Sequence, residues 1–226
     1  MNMFCGFLSV INSAEGNFQY AAVLIIIAGI FDAFDGLAAR ITHSASEFGV
    51  ELDSLSDLIS FGLAPAFLLY KIVLIEYAEL GILIAAFYLL TAALRLARFN
   101  VQLVGFEKTH FSGLPSPLGA MTISSFILTF YSDLGFTSYL KNSLILLSIL
   151  IGVLMISKIK YEAFPKINSQ NLRTNFLLLF YLFSAILAAI ISEGKAIIVF
   201  IVIYILFGIF RSFFKYAINL FREKHT

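Results

Sequence analysis

The sequence predicts an all-α, polytopic bundle of membrane-embedded helices, and three observations carry that expectation. Only 13% of the 226 residues are charged, where a soluble domain has about 25%. Hydrophobic residues make up 60% and the mean hydropathy is positive. Apolar runs recur along the whole chain, and about 20 such residues cross a bilayer as a helix. The runs are continuous, without the period-two alternation of a transmembrane barrel. The single Cys5 excludes an intrachain disulfide and a cysteine-based zinc site; it reads as a small buried apolar residue. The net charge is +1, with basic residues dispersed among apolar runs, so nothing points to nucleic acid.

Eight hydrophobic segments are expected, at 2–14, 18–42, 46–70, 80–99, 115–132, 142–158, 174–192 and 196–214. The first is short for a span, so the chain begins partway into that helix or the helix lies partly in the interface. No basic n-region or A-x-A-like site marks a cleavable signal at the start. Pro115 and Pro117 suit the beginning of the fifth segment, where a missing N–H is least harmful. The stretch Gly113-Leu-Pro-Ser-Pro is then either a rigid helix start or a binding loop. Residues 158–173 form the longest polar loop, with Pro165 as a breaker. No internal repeat or low-complexity linker divides the chain, so one domain over 1–226 is expected.

With both termini in the cytoplasm, the cytoplasmic side holds twelve Lys and Arg, among them Arg40, Arg95, Arg98, Lys158, Lys160 and Arg173. The other side holds three: Lys71, Lys141 and Lys195. That asymmetry is what the positive-inside tendency produces. The basic residues of 158–173 suit anionic headgroups.

Residues 32–57 stand apart. They read D-A-F-D-G-L-A-A-R, then eight residues, then G-V-E-L-D-S-L-S-D, and hold four of the five aspartates in the chain. A charge at the centre of a membrane helix costs about 2.5–3.5 kcal/mol on insertion scales. Something must therefore compensate Asp32, Asp35, Asp53 and Asp57, and the single Arg40 cannot neutralise all four. On helices, Asp32, Asp35 and Ala39 form one stripe, with Gly36 and Arg40 beside it; Gly49, Asp53 and Asp57 form another. Facing each other, the stripes would gather four carboxylates, with glycines permitting close backbone approach. Oxygen ligands suit hard cations such as Mg²⁺, Mn²⁺ or Ca²⁺. Two such ions would offset four charges and clamp phosphoryl oxygens. Asp32 would lie roughly 12 Å deeper than Arg40 along its helix, giving a pocket open to the cytosol with its floor in the bilayer. A cation-coupled transporter also uses intramembrane carboxylates, but accounts less well for the fixed Gly, Ala and Arg positions.

The pattern D-G-x-x-A-R-x8-G-x3-D-x3-D, with an aspartate three residues upstream, resembles the signature of the CDP-alcohol phosphatidyltransferase family. Asp32, Asp35, Gly36, Ala39, Arg40, Gly49, Asp53 and Asp57 meet every specified position. N-M-F-C-G-F-L-S at 2–9, R-L-A-R-F-N at 95–100, F-S-G-L-P-S-P at 111–117 and S-K-I-K-Y at 157–161 are similar to the family's phosphatidylserine synthase branch. The resemblance thins after about residue 175, and family members usually carry further residues before the stretch matching Asn2.

The resemblance implies a homodimeric enzyme of the cell membrane, its active site facing the cytoplasm. It implies two divalent ions, Mg²⁺ or Mn²⁺ with Ca²⁺ as a further candidate, and the substrates CDP-diacylglycerol and L-serine. Asp32, Asp35, Asp53 and Asp57 would hold metal, and Asp57 would also be the general base. Asn2, Gly36, Ala39, Arg40 and Gly49 would lie against the CDP-lipid. The carboxylate of serine calls for a guanidinium. Arg95 and Arg98 are the candidates, with Asn100 and Ser116 as polar contacts; basic residues at such helix ends also follow from topology alone. Glycerol 3-phosphate or an inositol phosphate is the alternative acceptor.

Overall fold

The computed structural model describes residues 1–42, 46–104, 111–132, 135–157, 159–161, 199, 202 and 203. Among these, the regular elements are helices apart from two short strands. Four stretches are long and apolar enough to cross a membrane: Phe18–Gly36, Phe48–Ile72, Leu74–Val101 and Ser138–Ile156. They mark an integral membrane protein. The first six expected segments each correspond to a helical rod. The segments at 174–192 and 196–214 lie outside the described residues, except that Val199, Val202 and Ile203 are helical and exposed.

Helix α1 (Asn2–Glu15) ends where Gly16 turns left-handed, at φ 86°, so that the N–H groups of Gly16 and Asn17 return to Ser13 and Asn12. Glycine is the residue for that conformation, and the turn sends α2 (Phe18–Thr42) back alongside α1. The two helices meet through small side chains. Ala21, Ala22 and Ala28 are wholly buried, and Ser9 Oγ donates to the Ala21 carbonyl at 2.9 Å. Such residues let helix backbones approach where lipid supplies no hydrophobic drive between helices.

The third rod is continuous but not uniform. Ser46 caps α3 (Glu47–Asp57), its Oγ accepting from the Gly49 N–H at 3.1 Å. A π-helical turn comes next, over Leu58–Leu63, and α4 (Ala64–Ile72) completes the span. The cause is Pro65, which has no N–H to give to the carbonyl four residues earlier. That carbonyl belongs to Phe61, and the buried Tyr88 hydroxyl donates to it instead, at 3.4 Å. The Ala64 N–H bonds five residues back, to Ile59. A widened turn rotates the succeeding residues by about 100° relative to an unbroken helix. The acidic face of α3 and the buried face of α4 (Ala64, Leu68, Leu69) are thereby re-phased within one rod.

A 3-10 turn (Leu74–Tyr77) leads into α5 (Ala78–Val104), the longest helix described. At Gly81 a Cβ would stand 1.9 Å from the Leu74 carbonyl oxygen, so only glycine permits this turn. Lys141 pairs with Glu76 and ties the turn to the start of α7 (Ser138–Ile156). Helix α6 (Ser116–Phe130) is shorter. Gly113, at φ +92°, donates to Ile159 O, and Leu114 donates to Leu154 O. Gly113-Leu-Pro-Ser-Pro is therefore a helix start pinned to the end of α7. Strand β1 (Phe111–Ser112) pairs antiparallel with β2 (Lys160–Tyr161) beside it.

Helix α1 touches the third rod at its π turn. A Cβ on Gly6 would fall 2.4 Å from Ser60 Oγ and 2.7 Å from Ser60 Cα, the second a backbone atom that cannot swing aside. Gly6→Ala is therefore expected to destabilise the protein by about 1–3 kcal/mol, the usual cost of overpacking. A thermal melt in detergent checks this, and an unchanged midpoint would show that α1 can back away freely.

Candidate active site and metal centre

The descending α2 and the third rod bring three aspartates together. Asp32 comes from α2, and Asp53 and Asp57 come from adjacent turns of α3. Each offers a carboxylate oxygen, and these oxygens lie within 4.8 Å of one another. Burial is graded: Asp57 is buried, Asp32 half-buried and Asp53 exposed. The cluster thus opens at Asp53 and closes at Asp57. Asp35 is exposed and stands outside this triad, though its charge is close enough to act on Asp32 and Asp53.

The floor is held from α1. Asn2, itself buried, donates from Nδ2 to Asp57 Oδ1 at 3.0 Å. Ser60, in the π turn, donates from Oγ to the Asn2 carbonyl at 3.0 Å. Nothing in the spacing of the sequence connects residue 2 to residue 57. Proximity of two distant parts of the chain leaves no local signal.

Arg95 faces the triad from α5, its positive charge acting on Asp57 and Asp32. Its Nη1 donates to Ser116 Oγ at 2.7 Å, and its guanidinium carbon lies 5.8 Å from the centre of the Phe99 ring. A guanidinium has five N–H donors, so a further anionic group can be held beside Ser116. Arg98, one turn on, donates to the Ile156 carbonyl at 3.1 Å and so closes the end of α7. Asn100 exchanges hydrogen bonds with Ser54, at 2.9 and 3.1 Å, and clasps α3 to α5 next to Asp53. Arg95 and Ser116 thus meet beside the triad, whereas Arg98 and Asn100 each bond a neighbouring helix. Ser54 had no place in the sequence expectation, although it sits between the aspartates in D-S-L-S-D.

Of the residues expected against the CDP-lipid, Asn2 bonds Asp57, and at Gly36 a Cβ would have no neighbour within 4 Å among the described residues. At Gly49 a Cβ would meet, among the described residues, Ser46 Oγ at 3.2 Å. The side chains of Ala39 and Arg40 lie outside the described set.

The donor set fits a hard divalent cation. Three carboxylates converge in a membrane protein with one guanidinium opposite, and oxygen-only ligation selects such ions over soft ones.

A membrane bundle whose acidic centre is shared between its second and third rods matches a known class. The CDP-alcohol phosphatidyltransferase family profile covers residues 1–164, and the chain belongs to that family. Over its full length it is 33% identical to a Helicobacter pylori protein named CDP-diacylglycerol–serine O-phosphatidyltransferase, covering 93% of that protein. A Bacillus subtilis protein of the same name is 36% identical over 174 residues, 76% of this chain and 92% of the relative. An archaetidylserine synthase of Methanothermobacter thermautotrophicus is 41% identical over 176 residues, 77% of this chain and 70% of the relative.

Proposed function

We propose that the protein transfers a phosphatidyl group from CDP-diacylglycerol to the hydroxyl of L-serine, giving phosphatidylserine and CMP. The observation that carries this reading is the convergence of Asp32, Asp53 and Asp57 from two helices, in a chain similar end to end to a relative named for transfer to serine. The serine oxygen attacks the lipid-side phosphorus, the bond from that phosphorus to CMP breaks, and CMP leaves with the bridging oxygen. Asp57 accepts the hydroxyl proton late, as the serine oxygen becomes acidic. Asp32, Asp53 and Asp57 would hold divalent metal, Mg²⁺ or Mn²⁺, and Asp35 would be a further ligand if two ions bind. Such ions would supply the charge neutralisation that phosphoryl transfer chiefly requires.

Gly36, Ala39, Arg40 and Gly49 lie against the CDP moiety, and Gly36 has the room for it among the described residues. Arg95 and Ser116 take the serine carboxylate, while Arg98 and Asn100 fix the helices that carry the pocket. The twelve-to-three distribution of basic residues supports a site facing the cytoplasm. A homodimer in the cell membrane and a single domain over the whole chain complete the proposal.

The test is CMP release by purified protein with CDP-diacylglycerol and Mg²⁺ or Mn²⁺, across L-serine, glycerol 3-phosphate and an inositol phosphate. The expected result is metal-dependent release with serine and formation of phosphatidylserine. Release with a phosphorylated acceptor alone would move the protein to a sibling activity. Ion flux in proteoliposomes without any CMP release would favour a transporter. The similarity to an archaetidylserine synthase makes an ether-linked CDP-lipid a second donor for the same assay.

A further inference from the structure

We infer that Asn2 is a positioning residue, whose amide fixes the rotation of the Asp57 carboxylate so that one oxygen remains directed into the acidic triad. The inference deepens the function proposed above and rests on it for the role of Asp57.

The donor is unusually well anchored. Asn2 is only 4% exposed, and its side chain crosses 55 positions of sequence to reach Asp57 Oδ1 at 3.0 Å. Its backbone carbonyl accepts from Ser60, three residues past Asp57 in the π turn. One helical turn further along α1, Gly6 lies so close to Ser60 that a Cβ would overlap its backbone. The segment carrying the amide is thus locked to the segment carrying the carboxylate by two contacts besides the hydrogen bond itself.

The hydrogen bond also has a direction. An ionised carboxylate only accepts, so the amide nitrogen must face Asp57 and the amide oxygen must point away. That oxygen, Asn2 Oδ1, is buried and has no partner among the described residues. A buried acceptor left unpaired is a penalty to folding, and an apolar side chain of the same shape would avoid it. The donor half of the amide pairs Asp57 Oδ1 while the acceptor half stays unpaired, so pairing at this position brings folding little net gain. Its effect falls on Asp57: a charge-assisted bond commits one oxygen to Asn2 and leaves the other for the ion and the acceptor hydroxyl. A carboxylate without that tie rotates about its own axis and presents either oxygen at varying angles.

Two variants of the full chain in nanodiscs test this, Asn2→Leu and Asn2→His, the second retaining a ring N–H donor. Three quantities are read: kcat and both KM values for CMP release with serine, Mn²⁺ affinity from the signal of free Mn²⁺, and the melting midpoint without metal. For Asn2→Leu, kcat is expected to fall about 10–100-fold, as when partners of a metal ligand are removed. Mn²⁺ affinity should fall too, with KM values unchanged and the midpoint close to that of wild type, because the donor lost by Asp57 is offset by removal of the unpaired Asn2 oxygen. Asn2→His should recover part of the loss. Wild-type kcat and Mn²⁺ affinity in Asn2→Leu would overturn the inference. So would a raised KM for CDP-lipid at unchanged kcat, which would make Asn2 a substrate ligand. A Leu variant that fails to fold or melts well below wild type, or a His variant as slow as Leu, would also overturn it by making the residue structural. If wild type itself releases no CMP with serine, the proposed acceptor fails. Mn²⁺ affinity, compared between wild type and Asn2→Leu, then decides the Asn2 question alone.

Discussion

Asp57→Asn is expected to lower CMP release by about 10²–10⁴-fold, the range for removing a general acid–base group. The substitution keeps the shape of the side chain and leaves an oxygen that Asn2 can still bond. The buried contact between α1 and α3 therefore survives, and the melting midpoint should not fall. What disappears is the negative charge that accepts the hydroxyl proton and holds the ion. A steady-state assay at saturating Mn²⁺ separates the two losses: if activity returns to wild type at high metal, Asp57 is a ligand and not the base. Normal activity at all metal concentrations would remove it from the mechanism altogether. Because Asp57 is the most enclosed of the three aspartates, no neighbouring water can easily replace it.

Much of this centre was legible in the sequence because helix periodicity is strict. Asp53 and Asp57 are four residues apart, which offsets them by about 40° around the axis, and the structure places both in the triad. Asp35 shows where the same reasoning loosens. It is three residues from Asp32, about 60° around the other side and about 4.5 Å further along the axis. That is enough to leave it exposed and outside the cluster while its charge is still felt. The π turn was missed for a different reason. The run 46–70 reads as one apolar segment, and the signal against a uniform helix was the single Pro65. Its consequence depends on Tyr88 being present on another helix to bond the orphaned carbonyl. Arg98 and Asn100 have the right chemistry for an amino-acid pocket, but side-chain type does not reveal that they also bond Ile156 O and Ser54.

The same geometry explains why one element serves two purposes. The π turn that accommodates Pro65 begins at the residue after Asp57, and its Ser60 fixes the backbone of Asn2. Strain relief and placement of the buried aspartate are therefore properties of six consecutive residues. Widened turns of this kind are frequent at functional sites, and here the reason can be stated: an extra residue lets an acidic face and an apolar face share one rod.

Asp32→Asn is expected to reverse the order of stability between variant and wild type when divalent metal is added. Without metal, Asp32 and Asp57 place like charges less than 4.8 Å apart in a partly buried site. At an effective dielectric of about 20, two full charges at that distance would repel by about 3.5 kcal/mol, less where solvent reaches the open side at Asp53 and where the two carboxylates share a proton. Among the described residues, Arg95 is the cation opposite Asp32 and Asp57, and one charge does not balance three. Removing Asp32's charge should therefore raise the melting midpoint of the metal-free protein. In wild type, an ion at about 100 times its Kd adds about 2.7 kcal/mol. For a chain of this length that corresponds to a rise of about 5–10 °C. Asp32→Asn should lose most of that rise together with turnover, so its curve starts above wild type and ends below it. An acidic cluster that merely pairs helices through Arg95 predicts something else: the variant would melt below wild type with or without metal. Thermal melts of both proteins, with chelator and then with Mn²⁺, tell the two apart, and curves that do not cross would leave the triad without a metal.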